Sequence, residues 1–155
     1  ATYVGSQEYE APADGIQLLQ EYVRAPRPVI TRAEFVGGRF LYAVEVDTSG
    51  GFELCPADAC AVEQASPAKF RITKGIPTPL RNRIEQFLAA FGVEIAGVEF
   101  ITDTSGRTLV YDVNTNTNYN PDAEASAGIA GTSASGPGAI AAFLGGVFAE
   151  LRAAA

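Results

Sequence analysis

Two alternating apolar–polar runs, VITRAEFV and RFLYAVEVD, flank Gly37-Gly38. A period of two puts successive side chains on opposite faces of a strand, and paired glycines suit the positive φ angles of a tight turn, so residues 29–47 read as a β-hairpin. A second hairpin is read from EIAGVEFI and RTLVYDVN around the turn DTSG (103–106). Between them the period changes. In TPLRNRIEQFLAAFG, Leu80, Ile84, Phe87, Leu88 and Phe91 share one helical face, with Thr78 as cap, Pro79 in the first turn and Gly92 as stop. A last helix opens at Pro137, and Ile140, Phe143, Leu144, Val147, Phe148 and Leu151 form its face expected to be buried.

Weaker patterns fill the rest. GIQLLQEYV (15–23), bounded by Gly15 and by Pro26 and Pro28, reads as a short strand, and FEL (52–54), after a turn at 48–51, as a lesser one. Residues 55–68 follow neither period and read as a long loop of the kind that often serves function; Asp58 within it either approaches a substrate or forms a turn. The Gly- and Ser-rich stretch 126–138 is flexible by composition and reads as a linker or lid; it precedes a helix as a phosphate loop does, but lacks that loop's lysine. Residues 1–15 form a frayed N-terminal segment, and 16–155 one domain. Strands, helix, hairpin, loop and helix in that order imply an α+β fold, an antiparallel sheet with helices packed on one face.

Composition narrows the chemistry. At 155 residues, 47% apolar and 19% charged, the chain can bury a core. It has no apolar run of membrane-spanning length and no signal-peptide pattern, so a cytoplasmic protein without a membrane partner is expected. It starts at Ala1 and contains no Met, and so reads as a processed product or, in preference, a piece of a longer protein. The net charge of −7 would repel a duplex, so no nucleic-acid partner is expected, whereas a cation fits the field. With no His, catalysis would fall to carboxylates, amides, arginines, lysines or a bound metal. Cys55 and Cys60 are too few for a zinc site; they read as free thiols, a local disulfide being the alternative.

The candidate chemistry lies in YDVNTNTNYNPDAE (111–124), where Asp112 is followed by Asn114, Asn116, Asn118 and Asn120. Strict alternation puts Thr108, Val110, Asp112 and Asn114 on one face and Leu109, Tyr111 and Val113 on the core face. With a turn of two or four residues, Arg107 pairs with Thr102 and Val110 with Glu99, so Glu99 lies diagonally about 7–8 Å from Asp112 on the same face. A three-residue turn would send Glu99 to the other face. An EF-hand does not fit: counted from Asp112, Thr117 and Ala123 stand where its Gly and Glu belong. The bland alternative is a solvated acidic hairpin.

AGVEFI (96–101), a turn and LVYDVNTNTN (109–118) together resemble the end of the ATP-grasp fold, where an acid on one strand and acid-x-Asn on the next hold magnesium on the ATP phosphates. The resemblance matches Glu99, Asp112 and Asn114 to those ligands and Thr115 to a following threonine. LLQEYV (18–23) resembles the family's hinge, which implies that Gln20, Glu21, Tyr22 and Val23 border adenine. Arg32 resembles the arginine near the phosphates and acyl group, and so would be catalytic. The implied activity is that of an ADP-forming carboxylate–amine ligase working through an acyl phosphate. ATP and Mg2+, or Mn2+, are its cofactors, and small-molecule carboxylates and amines its substrates.

The resemblance spans roughly residues 16–152 and concerns a C-terminal half. The family's phosphate lysine, glycine-rich loop and N-terminal substrate domain have no counterpart here: Lys69 and Lys74 follow the hinge. The implied partner is therefore the N-terminal portion of the same protein, and the isolated chain is expected to be nearly inactive. A homo-oligomer is compatible with the sequence. Thr31 stands where an acid often precedes the arginine, and Gly97, where the D-alanine branch has Arg, favours a glutamate-ligase or glutathione-synthase-like branch. The rival reading is a non-enzymatic acidic module that binds calcium or a protein partner. Arg39 and Arg107 flank turns and read as solvated; Tyr22 and Tyr42 read as core or cleft-wall residues.

Overall fold

The computed structural model describes residues 13–17, 19–49, 69–73 and 75–154. Along the chain come β1 (Val29–Val36), β2 (Arg39–Asp47), β3 (Phe70–Thr73), α1 (Thr78–Ala90), β4 (Ile95–Thr102), β5 (Thr108–Asn114), α2 (Pro121–Ser126) and α3 (Gly136–Ala153). The strands form one antiparallel sheet in the order β3-β2-β1-β4-β5. The α+β class is the one expected. Both hairpins form, and Gly37 and Gly38 adopt the positive φ angles of 60° and 66° that a two-residue turn demands.

Strand alternation divides the core between the two faces. Ala33, Phe35, Ala43, Ala96, Val98 and Phe100 pack with Ile84 and Leu88 of α1. Small side chains at 33, 43 and 96 leave room for the helix to approach. On the other face, Ile30, Tyr42, Val44 and Val46 pack with Phe70, Ile72, Ile101, Tyr119 and Ile129. The distribution of helices is thus finer than expected, with α1 on one face and α2 on the other. One carboxylate ties the second side together: Glu124 of α2 is buried and accepts from the Tyr42 hydroxyl at 2.7 Å and from the Gly136 N–H at 2.6 Å. It fills the start of α3, as an anion at a helix N-terminus does.

Several expectations are corrected. The described residues of 15–23 form no strand, and Ile16 and Leu19 are exposed. Thr78 is itself the first helical residue, Pro77 occupies the cap without a side-chain hydrogen bond, and Arg81 N–H closes the turn on the Pro77 carbonyl at 3.0 Å. Residues 127–135 are not a flexible linker but turns held by hydrogen bonds, among them Ser135 Oγ to the Thr132 carbonyl at 2.7 Å. On α3 only the first part of the apolar face is covered, Phe143 lying against Gly37, while Leu144, Phe148 and Leu151 are exposed. Phe87 and Phe91 of α1 are likewise exposed and meet in a tilted contact, ring centres 4.7 Å apart. Strand β3 was not expected, four residues being too few to show a period. The strand at 52–54, the loop at 55–68, Asp58, Cys55 and Cys60 lie outside the described residues.

Leu88 is fully buried between α1 and the sheet, whereas Phe91 is 70% exposed. Leu88→Ala is therefore expected to lower unfolding free energy by about 2–5 kcal/mol, against roughly 0.5 kcal/mol or less for Phe91→Ala. Urea denaturation of the two variants measures the contrast, and equal losses would contradict this placement of the core.

Candidate functional site

The five residues 103–107 that join β4 to β5 set an odd parity at first: Thr102 pairs with Thr108, Ile101 with Leu109 and Phe100 with Val110. Continued unchanged, that register would set Glu99 opposite Tyr111 and leave Asp112 on the other face. The register instead shifts by one residue between Phe100 and Glu99, so that Glu99 pairs with Asp112, Val98 with Val113 and Gly97 with Asn114. Tyr111 is the extra residue of a β-bulge. The expected pairings of Arg107 with Thr102 and Val110 with Glu99 are therefore both corrected. The acids nevertheless share a face, and as direct cross-strand partners rather than diagonal ones.

The bulge also corrects the two-face assignment of β5. Val113 packs with the α1-side core, but Tyr111 leaves it, and its hydroxyl lies near the Glu99 carboxylate. Burial and the adjoining Glu99 charge push the Tyr111 hydroxyl well above its ordinary value. Asp103 holds the turn itself, accepting from Ser105 N–H at 2.8 Å and Arg107 N–H at 2.9 Å; Arg107 Nε also reaches it at 3.1 Å.

Cross-strand pairing with β1 and β2 extends the site into two rows. Val44, Arg32, Glu99 and Asp112 form one, and Tyr42, Glu34, Gly97 and Asn114 the next. Arg32, Glu99, Asp112 and Asn114, which the sequence singled out separately, are thus brought onto one face. The Arg32 side chain is 18% exposed, and its Nε donates to Glu34 Oε1 at 2.7 Å while Nη2 donates to the Asn118 carbonyl at 2.7 Å. Glu34 is completely buried; its carboxylate also accepts from the Thr117 hydroxyl, at 3.0 and 3.2 Å. Burial holds the Glu34 carboxyl above the usual value, with Arg32 and Thr117 opposing. Burial likewise raises Glu99, with the Asp112 charge adding to it and Tyr111 and Arg32 opposing.

The asparagine series has several tasks. Asn114 Oδ1 accepts from Asn116 N–H at 2.8 Å and turns the chain out of β5. Residues 115–120 then fold back over the sheet. A Cβ at Gly97 would lie 2.6 Å from Thr117 Oγ1 and 3.2 Å from Glu34 Oε2, so the missing side chain makes room for Thr117. Asn120 caps α2 by accepting from Ala123 N–H at 2.8 Å, with Pro121 and the acids Asp122 and Glu124 in the first turn. Sequence reasoning missed this helix, although Asn-Pro followed by acids is a start signal. It also missed Glu34, two positions from Arg32 on a strand and hence on its face. No sequence signal pointed to Thr117.

Oxygen donors suit a hard divalent cation, and magnesium needs only one or two carboxylates when phosphates and waters complete its shell. Among the described residues no three acidic, His or Cys side chains converge as a metal group. Two carboxylates and one amide therefore constitute the candidate set, and their chemistry fits magnesium. The charge repulsion between Glu99 and Asp112 is what a cation would relieve. Gln20, Glu21 and Tyr22 are exposed and Val23 half-buried, in an irregular segment that leads into β1. Among the described residues no helix is long and apolar enough to cross a membrane.

No protein-family model and no curated protein matches the chain. Solved structures do match. The ATP-grasp ligase PsnB, complexed with minimal precursor, aligns with a TM-score of 0.52 at 16% identity, covering 81% of this chain and 36% of its own. The macrocyclase MdnB from Microcystis aeruginosa MRC gives 0.45 at 14% identity, covering 68% of this chain and 34% of its own. A RiPP-associated ATP-grasp ligase from Chryseobacterium gregarium, in complex with ADP and a leader and core peptide, gives 0.45 at 16%, covering 68% and 32%. The chain spans about a third of the length of these structures. The likeness to PsnB is one of fold: the chain has an ATP-grasp-like α+β arrangement.

The raised carboxylates carry a signed pH dependence. Above the unperturbed value of 4.5 the folded chain keeps protons at Glu34 and Glu99 that the unfolded chain has lost. Stability therefore falls as pH rises from about 4.5 through the folded values. Urea midpoints taken upward from pH 4.5 should show that fall, shallower in Glu34→Gln and in Glu99→Gln whatever their absolute stability. An unchanged slope in both variants would contradict the burial described.

Proposed function

We propose that this chain is the C-terminal portion of an ATP-dependent, ADP-forming carboxylate–amine ligase. Glu99, Asp112 and Asn114 hold magnesium, Gln20 to Val23 border adenine, and Arg32 meets the phosphate or acyl phosphate. The observation that carries this reading is the transverse row Arg32–Glu99–Asp112, with Asn114 one row away on the same face. It places a guanidinium beside the two acids that would carry the cation. The ATP-grasp-like fold supports it. The nearest branch in this reading is the glutamate-ligase or glutathione-synthase-like one.

The residues suit the reaction without a histidine. Bound magnesium would neutralise phosphate charge. Arg32 is fixed with donors left over for an anion, which is the arrangement that stabilises charge developing in group transfer. The carboxylate and amine joined are small molecules. The missing phosphate lysine and glycine-rich loop are supplied by an N-terminal portion of the same protein, and the setting is cytoplasmic.

Asp112→Asn in the complete protein tests this assignment. Magnesium-dependent ATP turnover should fall by about 100-fold or more, since even indirect supporters of a metal site cost 10–100-fold. The fall should be partly reversed at high magnesium. Turnover unchanged from wild type would rule out the metal role.

A further inference from the structure

The pairing of Arg32 with Glu34 does more than neutralise a charge. A carboxylate with no exposed surface is costly to bury, and replacing a buried ion pair by apolar side chains is often neutral or stabilising. Stability alone therefore does not account for Glu34. Its geometry does. A guanidinium has five N–H donors in a rigid fork. Glu34 takes the Nε donor and the Asn118 carbonyl takes one on Nη2, both at 2.7 Å. Two bonds on different nitrogens, one from the sheet and one from the returning segment, fix both the swing of the side chain and the tilt of its plane. Among the described residues no hydrogen bond takes the remaining donors, which are left for an anion on the face that carries Glu99 and Asp112.

Glu34 is itself held. The Thr117 hydroxyl contacts both of its oxygens, and Thr117 reaches it because position 97 lacks a Cβ. We infer that Glu34 is a positioning residue for Arg32, clamped in turn by Thr117, and that the pair presets the guanidinium for a phosphate-type anion. This rests on the proposed function for the identity of the anion, but the orientation of Arg32 is a claim by itself. It also gives the segment 115–120 a role: the residues that follow the acid-x-Asn pair return to lock the arginine on the neighbouring strand.

A double-mutant cycle on the full-length protein separates positioning from mere support of the fold. The probe is the magnesium complex of a non-hydrolysable ATP analogue, and the variants are E34Q, R32K and both together. If Glu34 acts through Arg32, E34Q weakens binding about tenfold with Arg32 present and less than twofold in the R32K background. An equal loss in both backgrounds, or no loss with Arg32 present, overturns the proposal. The second readout needs no nucleotide. Hydrogen exchange of the Arg32 Nε–H, followed by 15N NMR, should be at least tenfold faster in E34Q than in wild type, and unchanged exchange overturns the positioning claim.

If R32K itself leaves analogue binding unaltered, the functional reading of Arg32 fails, and the exchange measurement alone decides whether Glu34 orients it. T117V serves where E34Q does not fold. It keeps the carboxylate and its charge, removes the hydroxyl that clamps it, and should speed Nε–H exchange in the same direction; exchange as slow as in wild type overturns the clamp.

Discussion

One additional residue in β5 determines which side chains meet on this sheet. Without the bulge at Tyr111, the five-residue turn would direct Asp112 and Glu99 to opposite faces. With it, the two carboxylates are direct partners, Arg32 is the next side chain in the row, and Asn114 follows on the same side. A bulge costs local pairing and is retained where it re-aims a side chain. Here it re-aims two, for Tyr111 itself turns from the core toward Glu99. The arrangement is costly in electrostatic terms: burial raises Glu99 and the Asp112 charge raises it further. The cation proposed for this site would relieve that opposition.

The second determinant is the return of the chain after β5. The segment 115–120 replaces the side chain missing at Gly97, meets Glu34 through Thr117, and reaches Arg32 through the Asn118 carbonyl. It then enters α2 through the Asn120 cap, and Glu124 fastens both Tyr42 and the start of α3. Sheet, return segment and both later helices are thus linked by side chains of a single face. Tyr119 lies in the middle of this linkage. Burial and the Glu34 charge push its hydroxyl up to about 12.

Much of this was legible in the sequence, for identifiable reasons. The hairpins showed because alternation over seven or more residues is unambiguous and Gly37-Gly38 allows only a tight turn. The site residues showed as types, since acid and acid-x-Asn on neighbouring strands is a pattern of donors independent of register. Their pairing did not show. The predicted even turn and the actual odd turn plus bulge lead to the same face by different routes, and a bulge at Tyr111 leaves no mark in composition. Glu34 was hidden for another reason: a glutamate within a β-rich run reads as solvent-facing, and its burial depends on Thr117, eighty-three residues later. Periodicity likewise overstated burial on α3, because an apolar face says nothing of whether another element is there to cover it.

Under the proposed function Glu99, Asp112 and Asn114 form one cation site, and paramagnetic broadening by Mn2+ tests that site directly. In an 15N-labelled sample at substoichiometric Mn2+, amide signals of residues 97–99 and 112–114 should broaden first and recover on addition of excess Mg2+. Broadening spread evenly over the acidic surface, or centred away from these two strand segments, would rule out a cation site at these residues.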